Sequence, residues 1–578
     1  IFSVHIQWET ISRPRMRKAM RGSAYVVGAC IFVFSLALAG ITCAVLGSLH
    51  AYGALAQAQV ALSIALSLVF AAWLGTVAAL RVGGVFGGEE LTNIREEATL
   101  EGGTIYGAAG ALLMESAPRE TDAFLAGALG PLRAGSELAL ILAFMYICDR
   151  TEFLDRMAKY ESVPAFWAVW AAICAVAAFT VRELKDARPL AREQTDEWRG
   201  WMQLMFLMYH YFHYEGAYNA IRVFIAGYVM MTGFGNLIYY RKTDDFSLRR
   251  IMQMLFRLNF LAFCVCVALN NELMLYYICP MHTFFTVLVI LALYIGRRFN
   301  QSMAGVYVKV ALVTMITVIV YDGPPEIFNA LFDIVPVWKT LFAFHDPLHP
   351  EFGEMHEWHF RSGLDRFNWI FGMLIALHLP QLTEFLEAIE RKPPTTRRAI
   401  QGLVAFVMLA AGGIWAKTVF VLDKYAYNAL HPFTAIIPLV IFIVLRNLTA
   451  TFRQYYIFGF AWIGQYTLET YIFQFHVWMR TTGVNGSPRS LIAFVPSSWA
   501  ANFVAGTAIY LFLSVRFFKL TGVLKDALIP DNGSLRPLAA VVMLGAGSFL
   551  LAKLLVEPPA WLLHWTHWRV AGLAFQPR

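Results

Sequence analysis

Residues 251–270, IMQMLFRLNFLAFCVCVALN, decide the class of fold. The run contains one charged residue, Arg257, and it is as long as the stretch of about 20 residues with which a helix crosses a bilayer. Comparable apolar runs lie near 24–47, 57–81, 123–148, 163–182, 200–214, 218–240, 273–296, 304–322, 367–380, 399–421, 432–446, 456–479, 491–515 and 536–557. They predict an all-α protein, a polytopic transmembrane helical bundle of about 12–15 spans.

The composition of the whole chain agrees with a membrane protein. Of its 578 residues 58% are apolar and 15% are charged, whereas soluble domains average about 45–50% and about 25%. These values exclude an ordinary soluble enzyme, a disordered protein, a coiled coil and a nucleic-acid binder. The net charge of +7 is typical of basic loops that face anionic headgroups, so it is weak evidence for an acidic substrate.

Polar segments suggest how the chain is organised. Basic residues within 13–21 predict a cytoplasmic end before the first span, 83–103 predicts an acidic loop, and 182–199 predicts a charged linker. We therefore divide the chain into N-terminal peripheral transmembrane helices with the acidic loop (1–185), a transmembrane core (186–530), and a C-terminal transmembrane helix with its tail (531–578).

Histidine 210 is the first candidate for chemistry, because ionisable groups at membrane depth are costly and are therefore functional candidates. It follows Tyr209 at the end of an apolar stretch, which puts it deep in its span or at the far end. Because the pKa of a histidine lies near 7, His210 can act as a general base on a hydroxyl. The alternative is an interfacial histidine that hydrogen-bonds a neighbouring helix.

Basic residues form the second candidate group. A cluster beside a span suits a phosphate-rich ligand, although a cytoplasmic loop with snorkelling side chains is the commoner explanation and, for the cluster alone, the favoured one. Its members are Arg241, Lys242, Arg249, Arg250 and Arg257. Arg222 differs, since it lies inside the span 218–240. Either it has a buried partner, or the span starts later and Arg222 lies at the interface.

Two further segments combine histidine with carboxylates. In 356–366 the two histidines are three residues apart, which is not the H-E-x-x-H spacing, so we predict no metal site. Ion pairs at i,i+4 from Glu357 to Arg361 and from Arg361 to Asp365 explain much of this segment. In 465–478, Glu469 and His476 are seven residues apart and are predicted to share a helix face. They either line a cavity or form a structural network between helices.

Taken together, several long aromatic-rich segments resemble the reduced wall acetylation proteins of plants. The segments are 146–151, 197–203 with 209–212, 218–226, 232–236, 256–260, 274–283, 356–366 and 468–478, and the resemblance extends over about residues 140–530. That family is related to fungal capsule O-acetylation proteins and to the animal sialic-acid O-acetyltransferase. More distantly, the core at 186–530 looks like acyltransferase family three, which likewise has a histidine on an apolar helix followed by an arginine-rich segment.

The resemblance implies transfer of acetyl from cytosolic acetyl-CoA to a luminal glycan or polysaccharide, in the Golgi or another endomembrane, with no metal and no nucleic-acid partner. His210 is implied as base or acetyl acceptor, with Glu469 and His476 lining the same cavity, and the five basic residues above bind the phosphates of acetyl-CoA. Acceptor binding or cavity architecture is implied for Tyr209, Arg222, His282, Glu357, His359, Arg361, Asp365, Arg366 and Gln474.

Two other functions are consistent with the same residues. The sialic-acid enzymes carry a luminal Ser-His-Asp esterase-like domain, and we expect none here because no soluble stretch is long enough. The chain would then be a relay that passes acetyl groups across the bilayer to a separate luminal acetyltransferase. The third possibility is a structural membrane subunit without activity.

Overall fold

A computed structural model describes residues 57–82, 120–334, 336–531, 533–534 and 536–556. The first predicted span (24–47), the basic segment 13–21 and the acidic loop 83–103 lie outside these residues. The described residues form two compact units, one from Leu154 to Phe518 and one from the residues before and after it. The predicted domain boundaries at 185/186 and 530/531 remain predictions.

Twenty α-helices account for most of the described chain. In order they are α1 (Gln57–Val82), α2 (Glu120–Arg150), α3 (Val163–Ala178), α4 (Arg192–Phe212), α5 (Tyr218–Thr243), α6 (Leu248–Leu269), α7 (Ile278–Tyr294), α8 (Met303–Asp322), α9 (Pro325–Asp333), α10 (Pro336–Phe342), α11 (His356–Leu364), α12 (Asn368–Glu390), α13 (Pro394–Trp415), α14 (Lys424–Thr434), α15 (Ile436–Asn447), α16 (Ala450–Gln454), α17 (Phe458–Ile463), α18 (Thr467–Phe473), α19 (Trp499–Leu528) and α20 (Arg536–Val556). Short 3₁₀ turns occupy Glu215–Ala217, Leu273–Tyr276 and Arg297–Phe299, and π-helical turns occupy Ala416–Phe420 and Gln474–Trp478.

Within the described residues, nine helical stretches are long and apolar enough to cross a membrane. The number becomes ten if α14 and α15, which are bent by 60°, count as one broken span. The predicted all-α membrane bundle is therefore confirmed, with fewer spans in this part of the chain than predicted. Two predicted spans shrink to helices of 16 and 17 residues, α3 and α7.

Two other predicted spans have a different structure. The run 456–479 is broken into α17, α18 and a π-helical turn, because Gly464 and the polar residues after it interrupt the helix. The run 491–515 begins as a strand, and its helix α19 starts only at Trp499. The predicted linker 182–199 is also wrong in its second half, since α4 begins at Arg192 and its Asp196 and Glu197 are buried.

Two small antiparallel sheets join distant parts of the larger unit. One has the order β1 (Asp155–Ala158), β5 (Pro488–Ala493), β4 (Met479–Thr481), and the other pairs β2 (Val181–Glu183) with β3 (Tyr455–Ile457). In the first sheet Asp155 lies opposite Ala493, and in the second Val181 lies opposite Ile457. Neither sheet was predicted, because strands of three to six residues leave little periodic signal.

Glycines bring the helices of the larger unit into close contact. A Cβ atom on Gly233 of α5 would lie 1.8 Å from the carbonyl oxygen of Trp369 in α12, and one on Gly372 would lie 1.9 Å from that of Met230. Small residues let helix backbones approach in this way, and packing then holds helices together where lipid offers no hydrophobic gain. The α5–α12 contact fixes the framework on which the candidate site is built.

Helices α5 and α6 are joined by a short connection, and we call the two helices the α5–α6 hairpin. The candidate site extends between its two ends. Helix α5 ends at Asp244, which has a positive φ of 48°, and Ser247 caps α6 by accepting from the Arg250 N–H at 3.4 Å. The hairpin therefore has one end at residues 241–250. Its other end holds the start of α5 at Tyr218 and the end of α6 at Leu269, on the order of 30 Å away at 1.5 Å per residue.

Candidate functional site

Histidine 210 lies in the last turn of α4, three residues before the left-handed residue His213 that ends the helix. A 3₁₀ turn then leads directly to Tyr218 at the start of α5. Of the two predicted placements, deep in its helix or at the far end, the structure has the far end. His210 therefore lies near the end of the α5–α6 hairpin that is opposite to residues 241–250.

The His210 ring is surrounded by aromatic side chains. Its centroid lies 4.7 Å from that of Phe206, 4.9 Å from Tyr209 and 6.0 Å from Phe475. Neither ring nitrogen is hydrogen-bonded to any residue that the structure describes, and the side chain keeps some accessible surface. The predicted alternative, a histidine hydrogen-bonded to a neighbouring helix, therefore does not apply within these residues.

Arginine 361, one of the predicted site residues, lies close to this histidine, as does Lys159. Its Nε donates to Glu357 Oε1 at 2.7 Å, which confirms the predicted i,i+4 pair, and its Cζ lies 4.7 Å from the centroid of the Tyr277 ring. The guanidinium is close enough to act electrostatically on both His210 and Tyr209. We call Tyr209, His210, Tyr277 and Arg361 the His210 cluster. All four side chains are only partly buried, so they can meet a ligand.

Arginine 222 has the buried partner that its position requires. Its Nη2 lies 2.6 Å from Asp365 Oδ2, and the two side chains are 2% and 0% exposed. Asn368 donates to the same carboxylate at 2.9 Å, and His431 Nε2 lies 3.6 Å from it. The alternative that Arg222 lies at the interface is therefore wrong. The predicted pair Arg361–Asp365 is also wrong, because Asp365 ends α11 and turns towards Arg222.

The other residues predicted for the cavity are spread over the same unit. Arg366 pairs with Asp322 at 2.7 Å, His282 Nδ1 lies 2.7 Å from the Thr232 hydroxyl, and the His359 ring packs 4.4 Å from that of Phe328. Gln474 is fully buried, and neither of its amide atoms has a hydrogen-bond partner among the described residues. None of the contacts given for Arg366, His282, His359 and Gln474 involves a member of the His210 cluster.

Histidine 476 lies in a π-helical turn, a feature that occurs often at functional sites. It is fully buried, and its Nε2 lies 2.6 Å from the hydroxyl of Tyr276. The α-helix ends at Phe473, so a spacing of seven residues no longer implies a common face for Glu469 and His476. Each of the two has its own partner, and the prediction that they share a helix face is not supported by this geometry.

Glutamate 469 pairs with Arg257 of α6, at 3.1 Å. The arginine also lies 3.9 Å above the Phe518 ring and donates to the Phe518 carbonyl at 3.3 Å. The second carboxylate oxygen of Glu469 is buried and has no hydrogen-bond partner among the described residues. Arg257 is thus engaged by a carboxylate from another helix, α18.

Four basic residues, Arg241, Lys242, Arg249 and Arg250, lie at the connection between α5 and α6, and we call them the basic turn. Arg250 lies 4.5 Å above the Tyr239 ring, Arg241 donates to the Gln301 carbonyl at 3.3 Å, and Lys242 is exposed. Arg257 lies about 10 Å further along α6 than Arg250, at 1.5 Å per residue. The predicted group of five is therefore one cluster of four and one separate ion pair.

Sequence reasoning missed Tyr276, Tyr277 and His431 as site residues. The two tyrosines lie within a segment that carried the family resemblance, but tyrosine is common in membrane helices and gives no charge signal there. His431 follows Leu430 in an amphipathic helix and is recognisable only by its neighbour Asp365. Across the described residues, no group of three histidine, cysteine or acidic side chains is arranged to hold a metal ion.

Both a family model and a curated protein match this chain. Residues 114–538 match the model of the 10 TM acyltransferase domain found in Cas1p. An N-acetylneuraminate (7)9-O-acetyltransferase of Danio rerio is 30% identical over 439 residues, which are 74% of this chain and 54% of that protein. The chain therefore spans about half the length of that curated relative. No solved structure matches.

Proposed function

The chain belongs to the family of the 10 TM acyltransferase domain found in Cas1p, and from this membership we propose that it transfers acetyl from acetyl-CoA to a hydroxyl of a glycan. The zebrafish relative supports an O-acetyltransferase by its name. The resemblance to plant reduced wall acetylation proteins supports a polysaccharide acceptor and a Golgi or other endomembrane location. The bilayer itself is the environment that its apolar helices require.

His210 is the proposed base, and the lack of any hydrogen-bond partner for its ring among the described residues is the observation that supports this best. As the acceptor oxygen attacks the thioester carbonyl, its proton passes to the imidazole. The C–S bond then breaks, and the proton leaves with the CoA thiolate. If His210 itself accepts acetyl first, the same bonds are exchanged in two steps.

The basic turn is the proposed site for the phosphates of acetyl-CoA. Arginine binds phosphate through paired N–H groups, and all four side chains of the turn lie at the end of a helical hairpin. The thioester end would then point along α6 towards Arg257 and its partner Glu469, which lie on the His210 side of the turn. This direction agrees with the physical requirement that the highly charged part of the donor stays out of the hydrocarbon.

The other members of the His210 cluster are the proposed contacts of the acceptor. Two phenols and a guanidinium offer hydrogen-bond donors around the imidazole, and aromatic faces suit the apolar faces of a sugar ring. Arg222 and Asp365 would support this group from behind, because they are buried and tie α5 to the end of α11.

The proposal is tested with the purified chain in liposomes of endomembrane lipids. Radiolabelled acetyl-CoA is supplied on one side and a polysaccharide acceptor on the other, and both free CoA and acetylated glycan are measured. Acetylated glycan formed by the chain alone supports the proposal. Release of CoA without glycan product, restored by a luminal acetyltransferase, would select the relay, and no consumption of acetyl-CoA would contradict both.

A further inference from the structure

A chain of hydrogen bonds connects the buried His476 with the loop after β4. The Tyr276 hydroxyl lies 2.6 Å from His476 Nε2 and accepts from Asn271 Nδ2 at 3.0 Å. The Asn271 Oδ1 accepts from the backbone N–H of Asn485 at 2.9 Å, and Asn485 Oδ1 accepts from the backbone N–H of Glu272 at 2.7 Å. We call His476, Tyr276, Asn271 and Asn485 the His476 chain. Each of its residues is at most 9% exposed.

Two backbone groups fix the orientation of both side-chain amides in this chain. A backbone N–H can only donate, so the side-chain atom of Asn271 that faces Asn485 must be its oxygen. The NH₂ group of Asn271 is then the atom that faces Tyr276. The same argument fixes the amide of Asn485, because the N–H of Glu272 points at its oxygen.

The last hydrogen bond of the chain joins the Tyr276 hydroxyl to the imidazole of His476. Since the Tyr276 oxygen accepts from Asn271, the hydroxyl has its own proton to give, and Nε2 of His476 lies within 2.6 Å of it. When Nε2 accepts that proton in a hydrogen bond it is itself unprotonated, and a neutral imidazole carries its one proton on Nδ1. This order of donors and acceptors corresponds to the Nδ1–H tautomer of a fully buried histidine.

We propose that Asn485, Asn271 and Tyr276 are positioning residues, which hold His476 as a neutral ring with Nε2 accepting a hydrogen bond. His476 then anchors the π-helical turn 474–478 rather than serving as a base. The next residue in the chain, Phe475, packs 6.0 Å from His210, so the anchored turn sets the position of the reactive ring. This last step rests on the proposed function, whereas the tautomer does not.

The end of the His476 chain at Asn485 contacts an exposed connection between α10 and α11, residues 343–355. His345, between α10 and α11, bonds Glu272 through Nδ1 at 2.6 Å and through its backbone N–H at 2.7 Å. Its carbonyl accepts from Asn485 Nδ2 at 3.5 Å. The polar connection 343–355 is therefore hydrogen-bonded to Glu272 and Asn485, at the end of the His476 chain that lies away from the histidine.

The test is solid-state ¹⁵N NMR of the full chain in lipid, with labelled histidine. The chain has 14 histidines, so the His476 signals are assigned as those missing from His476→Gln. We expect a protonated Nδ1 and an unprotonated, hydrogen-bonded Nε2. In Asn271→Asp the carboxylate still accepts from Asn485 but cannot donate to Tyr276, so the phenol turns to it and Nε2 becomes protonated.

Two further variants keep the result decisive. Tyr276→Phe keeps the ring but removes the hydroxyl, so Nε2 should shift to the position of a nitrogen without a hydrogen bond, even if Asn271→Asp does not fold. Asn259→Asp is the matched control, since Asn259 bonds Thr283 at 2.8 Å outside the chain and should leave the His476 signals unchanged. A protonated Nε2 in the unaltered protein, or no change in a folded Asn271→Asp, would overturn the proposal.

Activity distinguishes the two proposals. We expect Tyr276→Phe to lower kcat by about 10-fold to about 100-fold with little change in the KM for acetyl-CoA, because a displaced reactive group loses orientation rather than binding. If the tautomer is as proposed but the unaltered protein transfers no acetyl, the function fails and the hydrogen-bond chain stands. If the protein is active and the tautomer is the other one, the reverse holds.

Discussion

The two ends of the α5–α6 hairpin use charged side chains in different ways. At the basic turn the arginines are only partly buried and contact a ring face or a backbone carbonyl, as Arg250 and Arg241 do. At the opposite end Arg222 is fully enclosed and neutralised by Asp365. An exposed charge can meet an anionic ligand, whereas an enclosed pair mainly determines how helices fit together. The comparison therefore makes the basic turn suitable for an anionic ligand, whereas the Arg222–Asp365 pair is architectural.

The largest effect is expected at His210, whose imidazole makes no hydrogen bond to any residue that the structure describes. His210→Ala should lower kcat/KM by about 10²-fold to about 10⁴-fold, the contribution typical of a general base. Its thermal unfolding should stay close to that of the unaltered protein, since the ring makes no described hydrogen bond. Acetyl transfer from labelled acetyl-CoA is the measurement.

His213→Ala is the matched control for this prediction. His213 lies three residues away, is exposed and bonds Glu161 at 2.8 Å. It should keep most of the activity. Equal losses in both variants would show that the end of α4, rather than the His210 ring, matters.

Breaking the enclosed pair should change stability more than recognition. Arg222→Met leaves the Asp365 carboxylate buried without its cation, which costs about 3–5 kcal/mol. Adding Asp365→Asn removes that charge and should recover part of the loss. Thermal unfolding in detergent measures both. A double variant no more stable than the single one would mean that Arg222 stabilises by its volume alone.

The basic turn should respond in binding rather than in turnover. Arg249→Ala with Arg250→Ala should raise the KM for acetyl-CoA by about 10-fold or more, since each charge-assisted contact contributes about 1.5–3 kcal/mol, while kcat changes little. The KM of the unaltered protein should rise with salt. Arg298→Ala removes a comparable arginine that lies over Phe299 outside the turn, and serves as control. A fall in kcat at constant KM would argue against phosphate binding here.

The smallest effect is expected from the exposed pair His345–Glu272. Hydrogen bonding to Glu272, and the charge of that carboxylate, raise the pKa of His345 above its ordinary value of 6.5. The protonated ring therefore favours the folded state below about pH 6.5, and this contribution is lost as the pH rises through the higher pKa of the folded protein. The difference in Tm between the protein and His345→Gln should shrink from about pH 6 to about pH 9. A difference that grows with pH would contradict this sign.

Local sequence was enough for some of these features. The apolar runs predicted a helical membrane bundle, and the i,i+4 spacing predicted the pair Glu357–Arg361, because both signals depend only on helix geometry. The position of Arg222 inside a span left two possibilities, a buried partner or a later start of the span, and did not identify the partner. Asp365 was instead assigned to Arg361, since spacing alone does not show that α11 ends there and turns the carboxylate away.

Where a prediction failed, contacts between distant segments were responsible. The run 456–479 is as apolar as a span, yet it is divided into a strand, two helices, a π-helical turn and the start of a second strand. Hydropathy measures the preference for an apolar environment and not the backbone conformation inside it. Two aromatic neighbours of His210, Phe206 and Tyr209, lie on the same helix and could be recognised from their spacing in the sequence. The third, Phe475, comes from a distant segment, and only the tertiary structure shows that it lies there.

The sequence by itself singled out some ionisable residues at membrane depth, such as Glu469 and His476, because their cost there does not depend on topology. The tertiary structure decided their partners: Arg222 meets Asp365 across 143 residues, and His476 meets Tyr276 across 200. Several carboxylates and phenols along the chain could satisfy either group equally well by chemistry. Only the close packing of particular helices, such as α5 on α12, brings one of them within hydrogen-bond distance.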